Sequence, residues 1–101
     1  AVITEDMNLV NAIFSIIDNG IVDGYESFRY EVVLGPGFID TELLVEKDGM
    51  ETTNARTDLD DTRLYELVEQ LQQRAQQRGE HWTSLTISCR QAGQVTAQFH
   101  P

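Results

Sequence analysis

The fold is decided by residues 27–50, SFRYEVVLGPGFIDTELLVEKDGM, which read as two long strands and two turns. In the first part Phe28, Tyr30, Val32 and Leu34 alternate with Ser27, Arg29, Glu31 and Val33, the period of two expected of a strand with one buried face. Gly35-Pro36-Gly37 interrupts the run, because Pro donates nothing to a ladder and Gly tolerates positive φ. A second strand follows, with Ile39, Thr41, Leu43 and Val45 on one side and Asp40, Glu42, Leu44 and Glu46 on the other. Asp48-Gly49 is a two-residue hairpin signal, so Met50 to Asn54 should return as a third, weaker strand and complete an antiparallel meander. Three carboxylates then share one face of the second strand, ~7 Å apart between successive same-side positions. Such a face cannot be buried without partners for its charge, so it is expected to meet solvent or a basic ligand.

Helical spacing brackets the meander. Val10, Ile13, Phe14, Ile17 and Ile21 recur at intervals of three and four, with Met7 extending the stripe backwards, which predicts a helix from about Thr4 to Asn19. Thr4 is placed to cap it, Glu5 and Asp6 complement its dipole, and Asn19-Gly20 is expected to end it with a left-handed residue. Its polar face carries no Lys or Arg, unlike a helix that lies on a membrane surface. A second helix is expected from Thr57 or Asp58, with Leu64, Leu67, Val68, Leu71 and Ala75 buried. Asp58, Asp60 and Asp61 fall in its first turn, Arg74 and Arg78 in its last, and Gly79 is its stop. Its outer face is rich in glutamine. Trp82 to Arg90 and Gln94 to Phe99 read as two further strands joined at Gln91-Ala92-Gly93. The order helix, three strands, helix, two strands defines an α+β class: one domain over residues 1–101, two amphipathic helices packed on one curved, mostly antiparallel five-stranded sheet.

Length and charge narrow the function. A chain of 101 residues builds one core. No apolar run approaches the ~18 residues of a membrane span, and the longest, near Leu9 to Ile17, is broken by Asn11 and Ser15. The first six residues are acidic where a secretion signal is basic. Seventeen acidic residues against seven basic give a net charge of −10, which disfavours nucleic acid and anionic lipid as partners. The excess is uneven: residues 1–54 hold 11 acids and 2 bases, residues 55–101 hold 6 and 5. A negative field over one half attracts a cationic partner and speeds encounter, although a solvated, solubilising surface would show the same counts.

Candidate chemistry is sparse. Asp58, Asp60 and Asp61 suggest calcium, and Glu69 stands at the twelfth position. Arg63 occupies the sixth, where the loop needs Gly, and a helix N-terminus accounts for these acids without a metal. Cys89, the single cysteine, forms no intrachain disulfide and alternates with Leu85 and Ile87 as a small buried hydrophobe. His81 and His100 lack the third group a Cys–His pair requires. Asp40, Glu42 and Glu46 have the spacing for acid–base work but no apolar pocket to raise a pKa. Gly35-Pro36-Gly37 is followed by no Lys, so it is not a phosphate loop. Trp82 suits either a partner anchor or the core, and the area a Trp must cover in a one-core domain favours the core.

Several residues together carry a resemblance. They are the N-terminal amphipathic helix, the strand Tyr30-Glu31-Val32-Val33, the helix Leu64-Tyr65-Glu66-Leu67, the strand Trp82-Thr83-Ser84-Leu85-Thr86-Ile87, the Gly93 turn and a last strand reaching Phe99. In these the chain resembles bacterial immunity proteins of polymorphic or contact-dependent toxin systems and is similar to the YezG-like group. That group often ends Phe-x-Tyr where this chain has Phe99-His100-Pro101. The resemblance implies a cytoplasmic inhibitor, with no catalytic residue, metal or cofactor, that occludes the active site of a cognate toxin, often a nuclease. Nuclease sites are cationic because they hold phosphate, and an acidic half presents the matching field. The expected contact residues are Glu26, Glu31, Asp40, Glu42, Glu46 and Asp48, with Tyr25 as an aromatic anchor. A non-neutralising adaptor or secretion chaperone for a basic protein is the alternative, and a small hydrolase using the acidic strand face is a third.

Overall fold

The structure is a computed structural model that describes residues 4–90 and 93–101, with side chains from residue 6 onward. Its elements are α1 (Thr4–Gly20), β1 (Ser27–Gly35), β2 (Phe38–Lys47), β3 (Met50–Thr52), α2 (Asp61–Gln77), β4 (Ser84–Arg90) and β5 (Gln94–His100). The strands form one antiparallel sheet in the order β3-β2-β1-β4-β5, with both helices on one face. This is the α+β architecture that the element order implies.

β1 lies at the centre because its inner face is apolar throughout. Phe28, Tyr30, Val32 and Leu34 are all buried, between Val45 of β2 and Leu85, Ile87 and Cys89 of β4. Val10, Ile13 and Ile17 of α1 and Leu64, Leu67, Val68, Leu71 and Ala75 of α2 close the core from above. Trp82 is also buried, just before β4, with its ring 5.1 Å from that of Phe99. The helices cover β1 and β4 fully but β2 and β5 only in part, so Thr41 and Phe99 on the same face stay exposed.

Several local expectations are revised. α2 begins at Asp61, later than Thr57 or Asp58, because Asp60 is its cap: Asp60 Oδ1 accepts from the Arg63 amide at 3.1 Å. Thr57 and Asp58 instead secure the end of α1, through a bridge to Ile21 and an Asp58 amide bond to the Gly20 carbonyl at 2.7 Å. β3 stops at Thr52, two residues short of Asn54, because the Thr52 hydroxyl takes the Asn54 amide at 3.0 Å. β4 starts at Ser84, two residues after Trp82, and β5 runs one residue past Phe99. Met7 does not extend the buried stripe of α1 but is 51% exposed, while its neighbour Asp6 is 8% exposed. α1 opens beside the last turn of α2, and Asp6 accepts there from Arg74 Nε and Arg78 Nη2, each at 2.9 Å. Thr4 and Glu5 as caps, and Gln91-Ala92 in the last turn, lie outside the residues or side chains described.

Gly20 is the instructive correction. It is itself helical, and the left-handed position falls at Gly24, φ 76°. A Cβ at Gly20 would stand 2.8 Å from the Asp58 carbonyl oxygen and 2.5 Å from Leu59 Cδ2. Close approach of the returning chain therefore selects glycine, not backbone conformation. Because one obstructing atom is backbone, Gly20→Ala is expected to destabilise by about 1–3 kcal/mol, the range for overpacking, read as a lower urea midpoint at unchanged m.

Candidate functional site

The face of the sheet opposite the helices is open, and strand register determines what it carries. β1 contributes Ser27, Arg29, Glu31 and Val33; β2 contributes Asp40, Glu42, Leu44 and Glu46. Beyond β1 lie Ser84, Thr86, Ser88 and Arg90 of β4, then Gln94, Thr96, Gln98 and His100 of β5. The face is thus divided. Its β4–β5 half has hydroxyls and amides and no carboxylate; its β1–β2–β3 half holds Glu31, Asp40, Glu42, Glu46 and, on β3, Glu51.

Within the acidic half the register sets like charges against each other. Glu31 is directly opposite Glu42, and Glu46 directly opposite Glu51. Directly opposed positions have Cβ atoms only ~4.5–5.5 Å apart, and like charges there destabilise. Glu31 has internal relief, an ion pair with Arg29 at 3.1 Å in which both side chains are about half exposed. Among the described residues, Asp40, Glu42, Glu46 and Glu51 take part in no side-chain hydrogen bond or ion pair. Lys47, the other base of the first half, donates to the Asp23 carbonyl. Val33, 44% exposed, and half-buried Leu44 add apolar surface between the acids. A shallow depression of about 230 Å³ lies between Glu46 and Glu51 on one side and Arg29 and Arg90 on the other. That is below the ~300–1,000 Å³ of small-molecule pockets.

The other residues singled out from sequence lie elsewhere. Tyr25 is half-buried on the helix side. Its hydroxyl donates to Asp18 Oδ1 at 2.6 Å, and its ring meets Phe28 edge-on at 5.0 Å. Burial, reinforced by the Asp18 bond, raises its pKa well above the ordinary phenol range. Glu26 Oε1 accepts the Asp48 amide at 2.7 Å and so braces the β2–β3 turn, where Asp48 (φ 54°) and Gly49 (φ 76°) are both left-handed. These three support the hairpin and the end of α1 and are not joined to the open face. Glu51 is the acidic residue the sequence reading omitted. The signal was present, since a two-residue Asp-Gly turn after Lys47 sets Glu46 against Glu51.

The remaining polar groups offer little chemistry. Cys89 is buried on the helix side, whereas His100 is on the open face, 3.3 Å from the Thr86 hydroxyl. Among the described residues no three acidic, thiol or imidazole groups are grouped to hold a metal. A depression of about 570 Å³ between α2 and the β1–β2 hairpin is lined by Phe38, Tyr65, Glu69, Gln72, Gln73 and Gln76 among others, a mix of aromatic rings, amides and one carboxylate.

Nearby, Tyr30 is 2% exposed, and its hydroxyl has no hydrogen-bond partner among the described residues. Burial, and then the proximity of Tyr65 and Asp61, raises its pKa, with Thr41 pulling weakly the other way. A phenol that ionises less readily folded than unfolded binds the proton more tightly when folded. Its contribution is therefore complete below the unfolded value near 10 and is lost as pH rises past it, at up to ~1.4 kcal/mol per pH unit. Tyr30→Phe, which removes the orphaned group, is expected to stabilise by about 1 kcal/mol at neutral pH. Melting temperatures from pH 8 to about 11 should fall less steeply in the variant.

The fold and its open face define a small α+β domain with a divided, partly acidic sheet surface. No protein-family model matches the chain, and no characterised protein matches it in sequence at a significant level.

Proposed function

We propose that this chain is an immunity-type inhibitor that acts in the cytoplasm, binding a basic toxin domain, a nuclease above all, through the acidic half of its open sheet face. One observation carries the reading: two carboxylate pairs set directly opposite each other, Glu31 with Glu42 and Glu46 with Glu51, three of the four without a paired cation among the described residues. Such pairs cost stability, and a partner's Lys or Arg inserted between them would convert repulsion into charge-assisted hydrogen bonds. A nuclease presents those cations where it holds phosphate. Asp40, Glu42 and Glu46 would steer the encounter, while Val33 and Leu44 would supply apolar contact once water is expelled. An interface of ~800 Å² per partner is about an eighth of the 6328 Å² this chain exposes. The alternative, an adaptor for a basic protein, would use the same face without blocking an active site.

Capture from the native cell with the tagged chain, followed by titration of the captured protein's activity, separates the two. Stoichiometric loss of a nuclease activity is expected. Capture of a basic protein that remains fully active would identify an adaptor, and capture insensitive to charge reversal on the open face would remove this surface from the interaction.

A further inference from the structure

The two edges of the sheet differ. β3 is three residues long and carries Glu51 beside the acidic half, so a second strand is repelled there. β5 runs seven residues, Gln94–His100, with no Asp, Glu, Lys, Arg or Pro. Short strands, charges and prolines are the devices that keep sheet edges from pairing, and the β5 edge has none of them. Beside it on the helix face is an apolar cavity of about 380 Å³, whose lining includes Met7, Val10, Trp82, Val95, Ala97 and Phe99. Phe99 is 42% exposed. The charged groups at its rim, Asp6, Arg78 and Glu80, are already joined to one another by ion pairs.

We infer that the β5 edge pairs antiparallel with the β5 edge of a second copy, giving a continuous ten-stranded sheet. The sequence of β5 is self-complementary about Ala97. A two-fold axis there sets Val95 against Phe99 of the second copy and Ala97 against its own equivalent on the helix face. On the open face it sets Thr96 against Gln98 and Gln94 against His100. Apolar meets apolar, and uncharged polar meets uncharged polar. Charge selects the occupant: a basic protein is drawn to the β2–β3 side, whereas two chains of net charge −10 approach most easily along an edge strand that carries no acidic residue. An edge ~23 Å long, with a cavity beside it across two layers ~10 Å apart, gives roughly 450 Å² per copy. That is at the low end for specific contacts and describes a weak, concentration-dependent dimer. The inference does not depend on the proposed toxin.

Sedimentation equilibrium from ~10 μM to ~1 mM should show the mass rising from 11.4 kDa toward twice that value. Added salt should strengthen the association, because it screens the repulsion between two acidic chains. T96K/Q98K places like charges opposite each other at two points of the seam and is expected to weaken association about tenfold. Both positions are exposed, so the far-UV spectrum and melting temperature should be unchanged. A97C should give a disulfide-linked dimer on oxidation. A chain that stays monomeric to ~1 mM overturns the inference. So does a dimer that is indifferent to T96K/Q98K and not cross-linked through A97C, or β5 amides that gain exchange protection only when a different protein is added.

Discussion

The variant D40K/E42K/E46K is expected to associate with the cognate basic partner at least about tenfold more slowly than the native chain, within the 10–10³ range of electrostatic steering. The native acidic half holds five carboxylates with Arg29 among them. The variant holds two carboxylates and four cations, so the approaching partner meets repulsion. The native association rate should fall steeply as ionic strength rises from about 0.05 to 0.5 M, with the Debye length shrinking from ~14 to ~4 Å, and the variant's should not. Stopped-flow association across that series makes the comparison. The fold should survive, because none of the three side chains is bonded to another group among the described residues. It should even gain: the lysines introduced at 42 and 46 would face Glu31 and Glu51 and turn both opposed pairs attractive. At roughly 0.2–1 kcal/mol per cross-strand pair the variant should unfold at higher urea while binding worse. Stability gained with binding lost is what a functional patch predicts. An unchanged association rate would exclude this face as the docking surface.

Asp6→Ala is expected to cost about 2–3 kcal/mol of folding stability, the largest loss foreseen for a single polar side chain here. Asp6 is almost wholly buried and accepts from two guanidinium groups at 2.9 Å, Arg74 through Nε and Arg78 through Nη2. Arg78 also pairs with Glu80 at 3.0 Å. Removing the carboxylate takes away the acceptor that both guanidinium groups share at the end of α2, while Arg78 keeps Glu80. Both arginines keep about a third of their side-chain surface in water, which holds the loss below that of a fully buried pair. The same charges also complement the dipoles, the acid near the start of α1 and the cations near the end of α2. Asp6→Asn, which keeps the shape and one acceptor, should lose less than Asp6→Ala. Urea unfolding of the two variants beside the native chain measures the difference, and equal losses would mean the charge is immaterial.

The division of the sheet into two faces was legible because β1 and β2 alternate without interruption. Phe28, Tyr30, Val32 and Leu34 are buried, and Asp40, Glu42 and Glu46 are on the opposite side, as a period of two requires. Hairpin chemistry was equally readable: Asp48 and Gly49 take the left-handed pair of a two-residue turn, and Glu51 follows from that turn. Tyr25 and Glu26 were not legible. Nothing local says that a tyrosine will bond Asp18 at the end of α1, or that a carboxylate will seek the amide of Asp48, 22 residues away. Met7 and Asp6 exchanged their expected roles for a similar reason. A hydrophobic stripe predicts burial against the sheet, but α1 begins beside the arginines of α2, where a carboxylate is the better buried group.

From sequence alone came the α+β class, the element order, the inward residues of α2, of β1 and of α1 from Val10 onward, and the acidity of one strand face, because hydrophobic period and turn chemistry act within a few residues. Tertiary structure decided that β1 pairs with β4, why Gly20 is glycine, and that β5 rather than β4 forms an open edge. Those outcomes depend on contacts between segments far apart in the chain. Such contacts are selected by the joint packing of one core, a property that no single stretch of residues possesses.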